Sequence, residues 1–210
     1  MYRGPGGPGP AVARHFVPRG AGMAHNGAMN PTRPLSFLLA ALLSACAASP
    51  HRDAGAGHAR DGVAFVVVRH GEKASDTGRD PDLSAAGRER ARALARRLEG
   101  SGLVAVYATG FRRTHQTVRP AADAHGLAIA TYDASVPAAD LAAQLRAAHG
   151  HGTVLVAGHS NTVPDIVAAL CNCEVEPMPE TEYDRLSTVH VTADGNARLV
   201  VERYGAPAHP

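Results

Sequence analysis

Tryptophan is absent from this chain of 210 residues, and aromatic residues of all kinds make up only 4%. So few ring faces leave no stacking surface of the sort that binds single-stranded nucleic acid. Charge of one sign is also missing: 21 Lys+Arg stand against 19 Asp+Glu, for a formal net charge of +2. That balance gives no reason to expect nucleic acid as a partner. Cysteine occurs three times, as Cys46 and the close pair Cys171 and Cys173. A tetrahedral metal site would need a second such pair, which the chain does not have. What remains, 45% hydrophobic and 19% charged residues, is the composition of an ordinary soluble α/β domain.

The N-terminal part does not read as a fold. Met1 to Gly27 is rich in Gly, Pro and Ala and has no apolar period, a composition that favours disorder. Asn30-Pro31-Thr32-Arg33-Pro34 then precedes an apolar run from Leu35 to Leu43, followed by Leu43-Ser44-Ala45-Cys46. A basic stretch, a short apolar run and small residues before a cut site form a secretory signal. The run is too short to span a bilayer core of ~30 Å, which takes about 20 apolar residues. The Leu-Ser-Ala-Cys ending resembles a bacterial lipoprotein signal. That resemblance implies lipidation of Cys46, which becomes the mature N-terminus, and a place on the periplasmic face of the envelope. Ala47 rather than Asp after it implies the outer membrane. The residues ahead of Met29 are unusual for such a signal and suit a true start at Met23 or Met29. Residues 1–45 are thus read as extension and signal peptide, 46–61 as a flexible tether, and 62–205 as the folded domain, roughly 140 residues and enough for one core.

Within the domain, Val63 to Val68 is a continuous apolar run, as in a parallel strand buried on both faces. Leu103 to Ala108, Leu127 to Thr131 and Thr153 to Ala157 read as further strands. Helices are expected over Ala85 to Glu99, capped by Ser84, over Phe111 to His125, over Ala138 to His149, and over Asn161 to Cys171 with Pro164 in its first turn. Pro120 should kink or break the second of these. Asp194-Gly195 between two β-like runs signals a terminal hairpin. The pattern predicts an α/β three-layer sandwich: a mostly parallel central sheet, helices on both faces, and a C-terminal antiparallel hairpin.

Open α/β sheets place ligands beyond the carboxyl ends of their strands. Three strands end in chemistry. The first runs into Arg69-His70-Gly71-Glu72, the second into Thr109-Gly110-Phe111-Arg112-Arg113-Thr114, the fourth into Gly158-His159-Ser160-Asn161. If the first and fourth strands are neighbours, both imidazoles meet at one rim with the arginines. Arginine forks match phosphate oxygens and hold their charge. They neutralise a phosphoryl dianion so that a neutral imidazole can attack phosphorus. Gly71 would let the backbone approach the phosphate, and the helix beginning near Asn161 would aim amide N–H groups at it.

These segments, with Asp82-Leu83-Ser84-Ala85-Ala86-Gly87 and Arg113-Thr114-His115-Gln116-Thr117, resemble the histidine phosphatase superfamily, also called phosphoglycerate-mutase-like, over about Val63 to Arg203. The resemblance implies His70 as nucleophile, Arg69 and Arg113 as phosphate arginines, and His159 as the second pocket histidine. Arg112 is one residue out of register and reads as a solvated helix arginine. Mutases of the family usually continue Arg-His-Gly-Glu with Ser or Thr; here Lys73 follows, which favours water as acceptor and hence a phosphatase. Glu72, Lys73 and Asn161 are further candidate substrate contacts. The general acid is not fixed by any motif. Asp133 ranks first, ahead of Asp140, Glu72, Asp76 and Asp165, because the position after the second histidine is Ser160. Cys171 and Cys173 read equally as packed thiols or as a disulfide in an oxidising compartment. Arginine supplies the positive charge, so neither metal nor cofactor is expected. The expected partner is a small phosphorylated substrate or a phosphoprotein. Transfer to a second position of a sugar phosphate, or anion binding without catalysis, are the rival readings.

Overall fold

The computed structural model describes residues 62–75 and 78–208. The readings placed on residues 1–61, including the signal and Cys46, and on Asp76 lie outside the described residues.

Six strands form one sheet: β1 (Gly62–Arg69), β2 (Leu103–Thr109), β3 (Ile129–Tyr132), β4 (Gly152–Gly158), β5 (Arg185–Thr192) and β6 (Ala197–Arg203). Their order is β3-β2-β4-β1-β5-β6. β3, β2, β4 and β1 run parallel, while β5 and β6 add an antiparallel pair beside β1. Four helices connect them: α1 (Ala85–Arg97), α2 (Arg112–Ala124), α3 (Ala138–Ala148) and α4 (Val163–Cys171).

Successive strand side chains point to opposite faces, and this alternation builds two cores. Phe65 and Val67 of β1, with Val154 and Val156 of β4, pack under Leu141 and Leu145 of α3 and Ile166 and Leu170 of α4. Val66 and Val68, with Leu155 and Ala157, pack under Leu94 of α1 and Val118 and Ala121 of α2. Both faces of the central strands are therefore buried, which is why β1 and β4 are continuous apolar runs. The expected three-layer sandwich is the observed fold.

Local signals set the helix ends. The Ser84 side chain accepts a hydrogen bond from Gly87 N at 3.1 Å and caps α1. Asn172 adopts a left-handed conformation (φ 51°) and ends α4. The expected break at Pro120 does not occur: α2 continues through it. Thr117 and Val118 before the proline, and Ala121 and Ala122 after it, are all buried, so packing on both sides holds the helix together against the local cost. Cys171 and Cys173 are joined as a disulfide across Asn172.

Two glycines bring α1 against the end of β1. A Cβ on Gly87 would lie 2.3 Å from Glu72 O, and one on Gly71 would lie 3.0 Å from Gly87 Cα. The backbone after His70 thus needs a glycine on each side of the contact. We predict that Gly87→Ala destabilises the domain by about 1–3 kcal/mol through overpacking, read as a lower urea midpoint at unchanged slope; an unchanged midpoint would contradict the contact.

Candidate active site

The parallel register of β1 with β4 pairs Arg69 with Gly158, and His70 N donates to Gly158 O at 3.0 Å. His70 and His159 therefore leave the sheet side by side. Their ring centroids are 5.4 Å apart. A cavity of about 350 Å³ opens over them. Arg69, His70, Lys73, Arg113, His159 and Asn161 all line it, as does Glu180.

His70 is 3% exposed. Its Nδ1 lies 2.7 Å from Gly71 O. A carbonyl only accepts, so Nδ1 carries the proton and the lone pair of the neutral ring is on Nε2. Burial, reinforced by the charges of Arg69 and Arg113 and by His159, lowers the His70 pKa to about 3, against the opposing pull of the Gly71 hydrogen bond. Burial and the same two arginines lower His159 to about 4. Both rings are neutral near pH 7.

His159 is tied into a hydroxyl relay. Its Nε2 is 3.0 Å from Thr109 Oγ1, which is 2.9 Å from Thr114 Oγ1. Thr114 in turn donates to the carbonyls of Thr109 or Phe111. The proton assignment that satisfies every group has His159 Nε2–H donating to Thr109, Thr109 donating to Thr114, and Thr114 donating to a carbonyl.

The two arginines are held by different means. Arg69 is 1% exposed. Its Nη1 donates to Glu180 O (2.8 Å), Glu182 O (3.1 Å) and Pro179 O (3.2 Å), and its Nη2 to Glu180 Oε2 (2.7 Å). The Tyr183 ring lies 4.1 Å from the guanidinium carbon. Arg113 stacks 4.2 Å over Phe111 and reaches Asp80 at 3.4 Å. In both, the buried Nε has no hydrogen-bond partner. Both arginines line the cavity, so two fixed positive charges stand beside any anion that enters it.

Several expected contacts are not found. Glu72 does not line the cavity; Arg90 takes its carboxylate in a two-toothed pair, with Nη2 donating to Oε1 at 2.6 Å and Nε to Oε2 at 3.1 Å. Arg90 is 3% exposed and also donates to Tyr204 O, so the Glu72 carboxylate ties the motif to the chain end. Asp133 lies outside the cavity, exposed. It accepts from the Ser135 amide (2.9 Å) and hydroxyl (2.8 Å), which hold its carboxyl below the usual range. Gly71 N donates to Thr117 Oγ1 at 2.8 Å and is not free for phosphate; its missing Cβ serves the contact with Gly87. α4 starts at Val163, later than expected, and the amides of Thr162 and Val163 donate to His159 O. Arg112 is exposed and pairs with Asp82 at 2.6 Å.

Residues 179–183 were not singled out as part of the site, yet they clasp Arg69. One signal for them exists: a strand antiparallel to the first must be entered from the rim where the first strand ends. The Glu182 and Asp184 carboxylates are structural, pairing with Arg185 and Arg203.

Residues 65–135 match the model of the histidine phosphatase superfamily (branch 1). No match is found among curated proteins. Among solved structures, the protein histidine phosphatase SixA in complex with tungstate is similar at 25% identity and a TM-score of 0.55, over 67% of this chain and 96% of that one. The mycobacterial glucosyl-3-phosphoglycerate phosphatase in complex with VO3 shares the fold at 18% identity and a TM-score of 0.54, over 68% and 99% of the two chains. Bacillus stearothermophilus YhfR shares it at 17% identity and a TM-score of 0.51, over 67% and 96%. Family match and structural likeness together support the histidine phosphatase superfamily for this domain, and with it a phosphatase or phosphoryl-transfer role.

Proposed function

We propose that this domain is a metal-independent phosphohydrolase that works through a phosphohistidine at His70. The observation that carries this reading is the convergence of Arg69 and Arg113 with two neutral imidazoles on one cavity, the His70 proton being held on Nδ1 by Gly71 O. A phosphoryl group bound to the arginines loses most of its repulsion toward a nucleophile. Nε2 of His70 attacks phosphorus, and the ester oxygen leaves. Water then attacks the phosphohistidine and releases phosphate. Charge develops on the equatorial oxygens, where fixed donors act most strongly. In neutral His159 the Nε2–H is used on Thr109, so donation to the phosphoryl group falls to a protonated Nδ1. A bound dianion favours that proton. Lys73 adds a further positive charge at the cavity wall.

Water is the acceptor in this proposal because Lys73 stands where mutases carry Ser or Thr, and because the domain has no insertion to hold a second sugar phosphate. The proposal includes export and lipid anchoring through Cys46, outside the described residues. Its support is the sequence Leu35 to Cys46, and the Cys171–Cys173 disulfide suits an oxidising compartment. The substrate class is a small phosphorylated compound or a phosphoprotein.

His70→Ala should abolish phosphate release from p-nitrophenyl phosphate, with a loss of at least about 10³-fold, while EDTA leaves the wild-type rate unchanged. Full activity in the variant, or strong inhibition by EDTA, would contradict the proposal.

The buried neutral imidazole also makes a stability claim. His70 is lowered from 6.5 to about 3. Below pH 6.5 the unfolded chain therefore binds a proton that the folded protein refuses, and stability falls as pH falls through this window. The slope from this one group is up to about 1.4 kcal/mol per pH unit. His70→Asn should flatten the decline in urea stability between pH 6.5 and 4 by that amount; parallel declines would show that His70 is not buried in the neutral form.

A further inference from the structure

Cleavage of an alkyl phosphate ester needs a proton for the departing oxygen. His70 is spent as the nucleophile, arginine keeps its protons, and Lys73 and the Nδ1–H that a bound dianion favours on His159 are engaged with the phosphoryl group. Glu180 is the one carboxylate among the described residues that lines the cavity. We infer that Glu180 is the proton donor to the leaving oxygen, loaded with its proton by the arrival of the substrate's phosphoryl group on Arg69.

Glu180 lies in the loop between α4 and β5 and is anchored at its tip. Oε1 accepts from the Ser160 hydroxyl and Oε2 from Arg69 Nη2 at 2.7 Å. The side chain is otherwise 77% exposed, so these bonds, not packing, hold it in place. Ser160 is itself 8% exposed and fixes the carboxylate at the cavity rim. In the free site the Ser160 hydrogen bond, with Arg69 and Lys73, keeps the carboxyl below its usual range. A phosphoryl dianion needs the same guanidinium. By taking Arg69 it removes one partner of the carboxylate and sets two like charges beside it, and both changes favour the protonated acid. The Ser160 bond survives either way, because the hydroxyl can donate to a carboxylate or to a carbonyl oxygen of the acid.

The step balances as follows. His70 Nε2 forms the N–P bond as the P–O bond to the leaving group breaks. The proton on Glu180 passes to the leaving oxygen, giving a neutral alcohol and a Glu180 carboxylate. In the return step water attacks phosphorus, the N–P bond breaks, and the carboxylate takes the proton that water gives up. Phosphate leaves, Glu180 releases that proton to solvent, which returns the one taken up from solvent when the substrate bound, and its carboxylate goes back to Arg69.

The inference rests on the phosphohistidine reading, and two substrates separate the two claims. We would measure kcat/KM, which reads the first step, for the wild type, Glu180→Gln and Glu180→Asp. The probes are glycerol phosphate, whose alkoxide needs a proton, and 2,4-dinitrophenyl phosphate, whose leaving group does not. Glu180→Gln should lose about 100-fold or more on glycerol phosphate yet less than about 5-fold on the dinitrophenyl ester. Glu180→Asp should recover part of the alkyl activity. Retained dinitrophenyl activity shows at once that the variant is folded and that His70 works. Equal losses on both esters would overturn the inference and make Glu180 a positioning residue for Arg69. No loss on either, or a wild type that cleaves only the dinitrophenyl ester, would also overturn it. A wild type inactive on both substrates, with no phosphohistidine, would bring down the phosphatase reading itself.

Discussion

The parallel pairing of β1 with β4 is the constraint on which the site depends. Because Arg69 sits opposite Gly158, the two strands end level, and each hands over a histidine as its first residue beyond the sheet. The His70 amide on the Gly158 carbonyl extends that pairing past the strand end. Had the register differed by one residue, one imidazole would have turned to the other face of the sheet. β2, on the far side of β4, delivers Thr109 and then α2 with Arg113. β5, on the far side of β1, is entered by the loop that clasps Arg69. Four chain segments thus converge on one rim, and each is placed by its neighbour in the strand order.

Electrostatics then decide what the converged groups can do. Two guanidinium groups and a lysine line the cavity with a buried His70 and a partly buried His159. Both influences act in the same direction and keep the rings uncharged. A neutral His70 with its proton fixed on Nδ1 by the Gly71 carbonyl presents a nucleophilic Nε2 without any base to activate it. The arginines, freed of competing charge except for Glu180 and Asp80, keep donors for an incoming anion. In the proposed reaction this leaves His70 uncharged and ready to attack a phosphoryl group held by the arginines.

Much of this was legible in the sequence, for a physical reason. Apolar runs buried on both faces announce parallel strands, and the residues that follow such strands face the ligand rim. Val63 to Val68 and Thr153 to Ala157 therefore pointed to His70 and His159 directly. The failures share a cause as well. Glu72 sits in the motif but is claimed by Arg90, 18 residues onward and across an α1 turn. Asp133 follows a strand, yet its carboxylate is closed on Ser135. Gly71 answers to Gly87 more than to a ligand. Pro120 is overridden by packing. In each case a tertiary partner, invisible to local pattern, decided the role. Glu180 and Tyr183 were missed for the complementary reason: they belong to a loop without periodicity, and only the antiparallel direction of β5 brings that loop to the rim.

The most direct measurement is the linkage of the phosphoryl group in the trapped enzyme. The protein would be mixed with an aryl phosphate, quenched in base, digested, and the phosphopeptide characterised by mass spectrometry and by ³¹P NMR against the two phosphohistidine isomers. Phosphorus on Nε2 of His70 is the expected result, since Gly71 holds the proton on Nδ1. Phosphorus on Nδ1, on another residue, or on none would contradict it.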